Sequence, residues 1–206
     1  MSEASLGIAP IALIASLVFA GATVSNVLVN TQTTASNSYQ KLVNDVTTDM
    51  TTSFNVDQVI GKYNMSLTPP GIDHIAIHLR PLTACAIDLT KLKIELITPT
   101  DLVFLPYQDT GKADPTGALF SNTLWKTLKT GSFTMLITND DDSSVDTSHT
   151  LNKNTDAGFI LITLPKTSTL TYPNSYQIGL IPTPGQTEWI TLDVPYASNT
   201  PLILYG

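Results

Sequence analysis

The feature that most constrains the fold is an uncharged stretch near the start of the chain. No charged residue occurs from Ala4 to Gln40, and residues 8–29 are almost all apolar or small. As an α-helix this run would be about 33 Å long, which matches the hydrocarbon thickness of a bilayer. Its small and hydroxyl residues let helices approach closely and hydrogen-bond to each other. The run therefore predicts a helix that can lie in a membrane and also pack against other helices. A secretory signal peptide is the alternative, but the basic segment that opens such peptides is missing.

The helical pattern continues beyond Asn30 as a narrower apolar stripe. Apolar residues recur there at spacings of three and four between polar ones, at Tyr39, Leu42, Val43, Val46, Met50 and Phe54. This periodicity predicts one helix from about residue 5 to about residue 53. The residues expected to pack in the core between helices are Ile8, Ile11, Leu13, Leu17, Phe19, Val24 and Leu28. The stripe fits packing on the chain's own C-terminal domain as well as packing on a neighbouring subunit.

From residue 55 the pattern changes to that of β-strands. The predicted strands are residues 72–79, 92–98, 102–107, 133–138, 159–164, 176–182, 188–194 and 202–205. In the first of these, Ile75, Ile77 and Leu79 share one face, while His74 and His78 share the other. Turn formers such as Pro and Gly separate the strands, and no helix is expected between them. The sequence thus predicts an α+β chain, with a long N-terminal hydrophobic helix (residues 1–54) followed by an immunoglobulin-like antiparallel β-sandwich (residues 55–206).

Several segments, in this order, resemble those of the archaellins, the archaeal flagellins. Residues 6–32, LGIAPIALIASLVFAGATVSNVLVNTQ, resemble the family's N-terminal helix, with Gly7-Ile8 opening the apolar run and VLVNT closing it. Residues 86–94, AIDLTKLKI, resemble a family stretch that leads into a strand, and residues 137–145, ITNDDDSSV, its acidic turn. The segments PGQTEWITLDVP and LILYG resemble its last hairpin. Residues 108–129 match nothing in that pattern.

The resemblance implies a structural subunit of the archaeal motility filament, the archaellum. Subunits of this kind wait in the membrane through the helix and then bundle their helices into the filament core. The expected partners are copies of the chain, with or without a second archaellin, in an extracellular helical polymer whose β-domains face solvent. Archaellin precursors carry a short basic leader, so the absence of one here implies a processed form or an unusual export route. The alternative is a membrane-anchored β-sandwich binding module, such as an archaellum stator-type protein or an adhesive pilin. The uncharged stretch favours the filament.

Two polar motifs are candidate sites. Asn64-Met65-Ser66 is an N-glycosylation sequon, and the archaellin resemblance favours a glycan at Asn64. The oxygen-rich residues of the acidic turn form a candidate Ca²⁺ site, although a solvated turn between two strands explains the same charges. These residues are Asn139, Asp140, Asp142 and Asp146. No other cofactor is expected.

Composition argues against several other functions. The formal net charge is −7 with ten basic residues, too few to form the positive stripe that binds nucleic acid. No nucleophile elbow, phosphate-binding loop or zinc spacing occurs, so neither an enzyme nor a small-molecule substrate is expected. His74 and His78 are four residues apart on a predicted strand, hence about 13 Å apart, which is too far for one metal ion.

Three further side chains carry simple structural expectations. The single cysteine, Cys85, is expected to be a small core residue rather than a nucleophile. Trp189 alternates with Ile190 and is expected to pack between the sheets. Trp125 fits either a core position or an exposed contact position.

Overall fold

The computed structural model describes residues 31, 33–47, 52–111 and 113–206. The chain separates into two compact units, residues 1–47 and residues 48–206, and each is described by itself. The predicted helix-core residues from Ile8 to Leu28 lie outside the described residues, so they stay a prediction. The predicted domain limits, residues 1–54 and 55–206, also stay a prediction.

In the first unit, residues 33–47 form helix α1, as the apolar periodicity predicts. Every one of these residues is exposed, including the stripe formed by Tyr39, Leu42, Val43 and Val46. A hydrogen bond of 3.1 Å from Gln40 Nε2 to Asn44 Oδ1 links successive turns on the polar side. Among the described residues, no helix is long and apolar enough to cross a membrane.

The predicted end of the first helix is wrong. Thr52 and Ser53 are not helical, and Phe54 begins a strand in which its side chain is only 3% exposed. The spacing of four between Met50 and Phe54 fits a helix, but Phe54 pairs with Pro81 on the neighbouring strand. Pairing between distant segments outweighs the local periodicity here.

The second unit consists mainly of antiparallel strands. They are β1 (Phe54–Asn64), β2 (Gly71–Pro81), β3 (Ile87–Asp88), β4 (Lys93–Ile97), β5 (Leu102–Leu105), β6 (Ser132–Asn139), β7 (Thr150–Leu151), β8 (Ala157–Thr163), β9 (Ser175–Ile181), β10 (Glu188–Asp193) and β11 (Leu202–Tyr205). Within the described chain they form a five-stranded sheet of order β11-β1-β2-β8-β6, a four-stranded sheet of order β10-β9-β4-β5, and the pair β3-β7. All pairings between these strands are antiparallel.

The strand prediction is largely confirmed. Each of the eight predicted strands overlaps an observed one, whereas β1, β3 and β7 are not predicted. The expectation of no helix between the strands is wrong, because helices α2 (Leu124–Thr127) and α3 (Ser144–Ser148) lie there. Both helices are shorter than two turns, so neither has enough residues to show a helical period.

One hydrophobic core lies between the two larger sheets. It joins Ile75 and Ile77 of β2 to Ile94 of β4 and Ile178 of β9, all fully buried. Because side chains alternate along a strand, each strand places every second residue in this core. Burying each such side chain stabilises the fold by about 1.5–3 kcal/mol. Cys85 is half-buried and packs against the same core.

A second cluster covers part of the outer face of the five-stranded sheet. Leu124 and Leu128, from α2 and its end, pack there with Ala76, Leu136 and Leu161 of the sheet. The segment that supplies this cover falls largely within residues 108–129, which resemble nothing in the archaellin pattern.

The two tryptophans differ in their surroundings. Trp125 is half-buried beside the second cluster, where its Nε1 donates a 2.9 Å hydrogen bond to the carbonyl of Leu119. The prediction for Trp189 is wrong, because this side chain is 47% exposed while Ile190 is in the core. Because side chains alternate along a strand, only one of these two neighbours can face the core, and it is Ile190, the smaller of the two.

Candidate functional site

The acidic turn after β6 comes together with a residue from the loop before β8. One carboxylate oxygen from each of Asp140, Asp142 and Asp156 lies within 4.8 Å of the others. Asp156 is absent from the sequence prediction because it lies beyond α3 and β7, and only the fold returns it to this turn. Oxygen atoms grouped in this way are the ligands that Ca²⁺ prefers.

Asp140 is fixed by the start of α3. Its Oδ1 accepts a hydrogen bond from the backbone N–H of Ser144 at 3.2 Å, and its Oδ2 accepts one from Val145 at 3.0 Å. A carboxylate in this position satisfies the N–H groups that the first turn of a helix leaves unpaired. Ser143, just before the helix, has a φ of 57°, so its backbone adopts the left-handed conformation.

Asp156 is fully buried, and only one of its oxygens is satisfied. Oδ2 accepts hydrogen bonds of 2.9 Å from the backbone N–H groups of Asn152 and Lys153. Oδ1 has no hydrogen-bond partner, and neither has the buried Oδ1 of Asn152. A buried acceptor without a partner costs about 1–3 kcal/mol, more when it is charged, so such atoms are rare in native structures. These residues therefore fit an oxygen-coordinated cation.

Lys153 supplies positive charge to the same cluster. Its Nζ lies 3.0 Å from Asp142 Oδ2, and Asn152 Nδ2 donates a 3.1 Å hydrogen bond to the same oxygen. These hydrogen bonds, from Lys153 first and Asn152 second, hold the pKa of Asp142 well below its usual range. The partner carboxylate in turn raises the pKa of Lys153. Asp142 is therefore ionised throughout the physiological range.

The other two predicted metal ligands have different surroundings. Asn139 uses its Nδ2 to donate a 2.7 Å hydrogen bond to the carbonyl of Thr155. Asp146 is outside the three-carboxylate group and lines an adjoining cavity of about 350 Å³. In that cavity, Tyr107 Oη lies 3.4 Å from Nδ1 of His149. Burial, with the nearby charge of Asp109, raises the pKa of Tyr107 to about 12, so this phenol keeps its proton.

Asn64, the asparagine of the N-glycosylation sequon, lies at the end of β1, and both polar atoms of its side-chain amide form hydrogen bonds. Asn64 Nδ2 donates a 2.7 Å hydrogen bond to Asp73 Oδ2, and Asn64 Oδ1 accepts a 3.0 Å hydrogen bond from the backbone N–H of Ser66. Asp73 Oδ1 lies 2.5 Å from Nδ1 of His74. The nitrogen that would carry a glycan is thus engaged in the folded chain.

His74 and His78 have separate partners, in keeping with their spacing along β2. The His74 ring lies 4.8 Å from that of Trp125. The His78 ring lies 4.7 Å from that of Phe159, tilted by 46°, and its Nδ1 lies 3.2 Å from Asp57 Oδ2. Neither histidine belongs to the three-carboxylate group of the described residues.

These features define the class of protein before any comparison: a β unit preceded in the sequence by a helix whose apolar stripe is exposed. Within the described residues the polar clusters form no catalytic constellation. Residues 4–192 match the model of a known family, Archaeal-type flagellin. The chain belongs to this family, and its identification as an archaellin is confirmed.

Solved structures share the fold. Archaeal flagellin FlaB1 from Methanocaldococcus jannaschii is 24% identical with a TM-score of 0.62, covering 74% of this chain and 96% of that one. The archaeal flagellum of Methanospirillum hungatei strain JF1 is 14% identical with a TM-score of 0.68, covering 97% and 99%. The stator complex FlaF and FlaG from Sulfolobus acidocaldarius, 14% identical over 69% and 90%, reaches a TM-score of 0.41, which is too low to support the stator alternative. No curated protein matches the chain.

Family membership confirms the predicted function and location at the level of the class. Archaeal flagellins are structural subunits of an extracellular surface filament of archaea. The family is one of structural filament proteins rather than enzymes.

Proposed function

We propose that the chain polymerises through its N-terminal helix, which forms the core of a helical filament with the β unit on the outside. The observation that carries this proposal is the apolar stripe of α1, where Tyr39, Leu42, Val43 and Val46 are all exposed. An amphipathic helix with a stripe at this spacing needs a partner for its apolar side. Copies of the same helix, or of a second archaellin, supply that partner, and the membrane holds the helix before assembly.

We also propose that the helix of residues 33–47 extends towards the N-terminus as one long hydrophobic helix, and that the two larger sheets form an immunoglobulin-like sandwich. The apolar composition of residues 8–29 and the shared core between the sheets support these two points.

The stripe is tested by two substitutions on α1. Leu42→Glu places a charge on the stripe, whereas Asn37→Glu places the same charge on the opposite side of the helix, about 140° away. Filaments are sheared from cells that express each variant, imaged, and identified by mass spectrometry. We expect Leu42→Glu to abolish filaments and Asn37→Glu to retain them. If the unsubstituted chain stays in the membrane fraction and occurs at only a few copies per fibre, that result would instead support the anchored binding module.

We also propose that the acidic turn binds Ca²⁺ through Asp140, Asp142, Asp156 and the side-chain oxygen of Asn152. The buried and unpartnered Oδ1 atoms of Asp156 and Asn152 support this over a purely solvated turn. The ion would neutralise the three carboxylates and tie α3 to the loop before β8. A saturating ion stabilises a fold by about 2.7 kcal/mol at a concentration of 100 Kd.

Asp156→Asn distinguishes the two explanations of the acidic turn. Its amide Oδ1 still accepts the two backbone hydrogen bonds, while its Nδ2 offers hydrogens where the orphaned oxygen stood. Thermal unfolding is measured with Ca²⁺ and with a chelator. We expect Ca²⁺ to stabilise the unsubstituted chain and the control Asp146→Asn, but not Asp156→Asn. An unsubstituted chain that unfolds at the same temperature in both conditions would refute the site.

Asn64 is proposed as the site of an N-glycan. Because its amide nitrogen is held by Asp73, the glycan would be added before β1 and β2 close on each other. Intact-mass and peptide spectra of sheared filaments measure the modification, and Asn64→Gln is the control. Filaments that carry only the unmodified peptide would rule it out.

A further inference from the structure

Lys153 contacts two members of the three-carboxylate group in two different ways. Its Nζ lies 3.0 Å from Asp142 Oδ2. Its backbone N–H donates a 2.9 Å hydrogen bond to Asp156 Oδ2. The backbone contact fixes the position of the residue in the loop before β8, whereas the side chain adds a charge. These two contributions can be separated, because a substitution at this position changes only the side chain.

The charges of this group do not cancel. Asp140, Asp142 and Asp156 supply three carboxylates, and Lys153 supplies one ammonium. A lysine beside carboxylates keeps its proton at neutral pH. Two negative charges are therefore left over, which is the charge that one divalent cation neutralises. A trivalent cation would leave the group with an excess of positive charge.

The ammonium leaves the most buried oxygen of the group without a partner. Lys153 pairs with Asp142, and the two side chains are 42% and 34% exposed. Asp156 is fully buried, and its Oδ1 has no hydrogen-bond partner. The same holds for the buried Oδ1 of Asn152. The ammonium thus lies on the exposed side of the group, and a cation bound to the buried oxygens would share Asp142 with it.

We propose that Lys153 is a tethered counter-ion that lowers the affinity of the three-carboxylate group for cations and determines which ionic charge the group accepts. This role rests on the Ca²⁺ site proposed above. An ion bound to Asp142 at the usual Ca–O distance of about 2.4 Å lies about 5 Å from the ammonium. The repulsion across this distance grows in proportion to the charge of the ion. Lys153 therefore weakens the binding of a trivalent ion more than that of Ca²⁺.

Coulomb's law gives the size of the effect. Because the Lys153 side chain is partly exposed, the dielectric constant of water is the appropriate one. Across about 5 Å of water, the repulsion between a single and a double charge lowers an affinity by about tenfold. For a triple charge the same repulsion lowers the affinity by about thirtyfold. An ordinary salt bridge on the surface, the simpler explanation of the contact with Asp142, would have no such dependence on the charge of an added ion.

Calorimetric titration of the detergent-solubilised full chain with Ca²⁺, and separately with Tb³⁺, tests the role of Lys153. We expect Lys153→Met to bind Ca²⁺ about tenfold and Tb³⁺ about thirtyfold more tightly than the unsubstituted chain. Lys153→Arg keeps the charge and should keep the original affinities. The matched control is Lys166→Met, which changes the net charge of the chain equally. Lys166 follows the other end of β8, about 20 Å away and beyond the range of screened charges, so its loss should change neither affinity.

Each outcome of the titration decides the question. Ca²⁺ binding by Lys153→Met that equals or falls below that of the unsubstituted chain would overturn the proposal, as would equal gains for Ca²⁺ and Tb³⁺ or an equal gain in Lys166→Met. If Lys153→Met fails to fold, Lys153→Gln keeps a hydrogen-bond donor for Asp142 without the charge and should show the same gains. Binding of Ca²⁺ by the neutral variants alone would support the proposal. Absence of Ca²⁺ binding in the unsubstituted chain and in both neutral variants would instead overturn the Ca²⁺ site itself.

Discussion

Two glycines in neighbouring sheets provide a sharp test of how closely the strands pack. A Cβ added at Gly158 of β8 would lie 2.6 Å from the backbone oxygen of Leu136 on β6. A Cβ added at Gly179 of β9 would meet the Trp189 ring at the same distance of 2.6 Å. The obstacle is backbone in the first case and an exposed side chain in the second. Alanine should therefore destabilise the fold at Gly158 and be tolerated at Gly179.

The magnitudes follow from the obstacles. At Gly158 the strand β6 must move, and overpacking of this kind costs about 1–3 kcal/mol. Weakened hydrogen bonding between β6 and β8 adds about 0.5–1.5 kcal/mol to this cost. Alanine also restricts the backbone of the unfolded chain, which offsets about 0.4–1 kcal/mol of the cost. The expected cost is about 0.5–4 kcal/mol, or a fall in Tm of about 1–16 °C for a unit of this size. At Gly179 the ring can swing outward, so we expect a change within about 1 kcal/mol.

Thermal unfolding of the detergent-solubilised chain, followed by far-ultraviolet circular dichroism, measures both variants. Tryptophan emission in a Trp125→Phe background reports whether the Trp189 ring moves into water in Gly179→Ala. The reasoning is refuted if Gly179→Ala costs as much as Gly158→Ala, or if Gly158→Ala unfolds at the temperature of the unsubstituted chain. The first result would mean that the Trp189 ring cannot move aside, and the second that β6 and β8 lie further apart than the contact at Leu136 indicates.

Two further predictions concern single hydrogen bonds. Tyr63→Phe removes the 2.6 Å hydrogen bond that Tyr63 Oη donates to the carbonyl of Pro195, and it should lower stability by about 1 kcal/mol, measured as a fall in Tm of about 2–4 °C. Burial by itself would raise the pKa of Asp73, but hydrogen bonds with His74 and Asn64 outweigh it, so the folded pKa lies below its ordinary value of 3.8. The resulting stabilisation is present above the unfolded pKa and is lost as pH falls through the folded pKa. Acid unfolding curves should therefore lose this component in Asp73→Asn, and an unchanged curve would contradict the assignment.

Much of the strand content follows directly from local sequence pattern. Ile75, Ile77 and Leu79 alternate with polar or small residues, and a period of two is visible within a single segment. The structure accordingly buries these three side chains. The archaellin resemblance can likewise be recognised without a structure, because it depends on the order of several segments rather than on any contact.

Only part of the candidate cation site can be predicted from the sequence. Asp140 and Asp142 are adjacent to one turn, so their charges are visible together in the sequence. Asp156 looks like an ordinary loop residue until the chain turns back through α3 and β7 to bury it beside them. No local pattern in the sequence shows that Asp156 lies beside Asp140 and Asp142, which are more than a dozen positions away.

Taken alone, the sequence determines which residues alternate, which segments are uncharged and which family the chain belongs to, because these properties reside in neighbouring residues. Only the tertiary structure decides that Trp189 faces outward while Ile190 faces the core, because alternation defines two sides without saying which is covered. It likewise decides that Phe54 starts a strand by pairing with Pro81. In each case the deciding contact joins residues distant in sequence, and its free energy exceeds the small local preferences that the sequence displays.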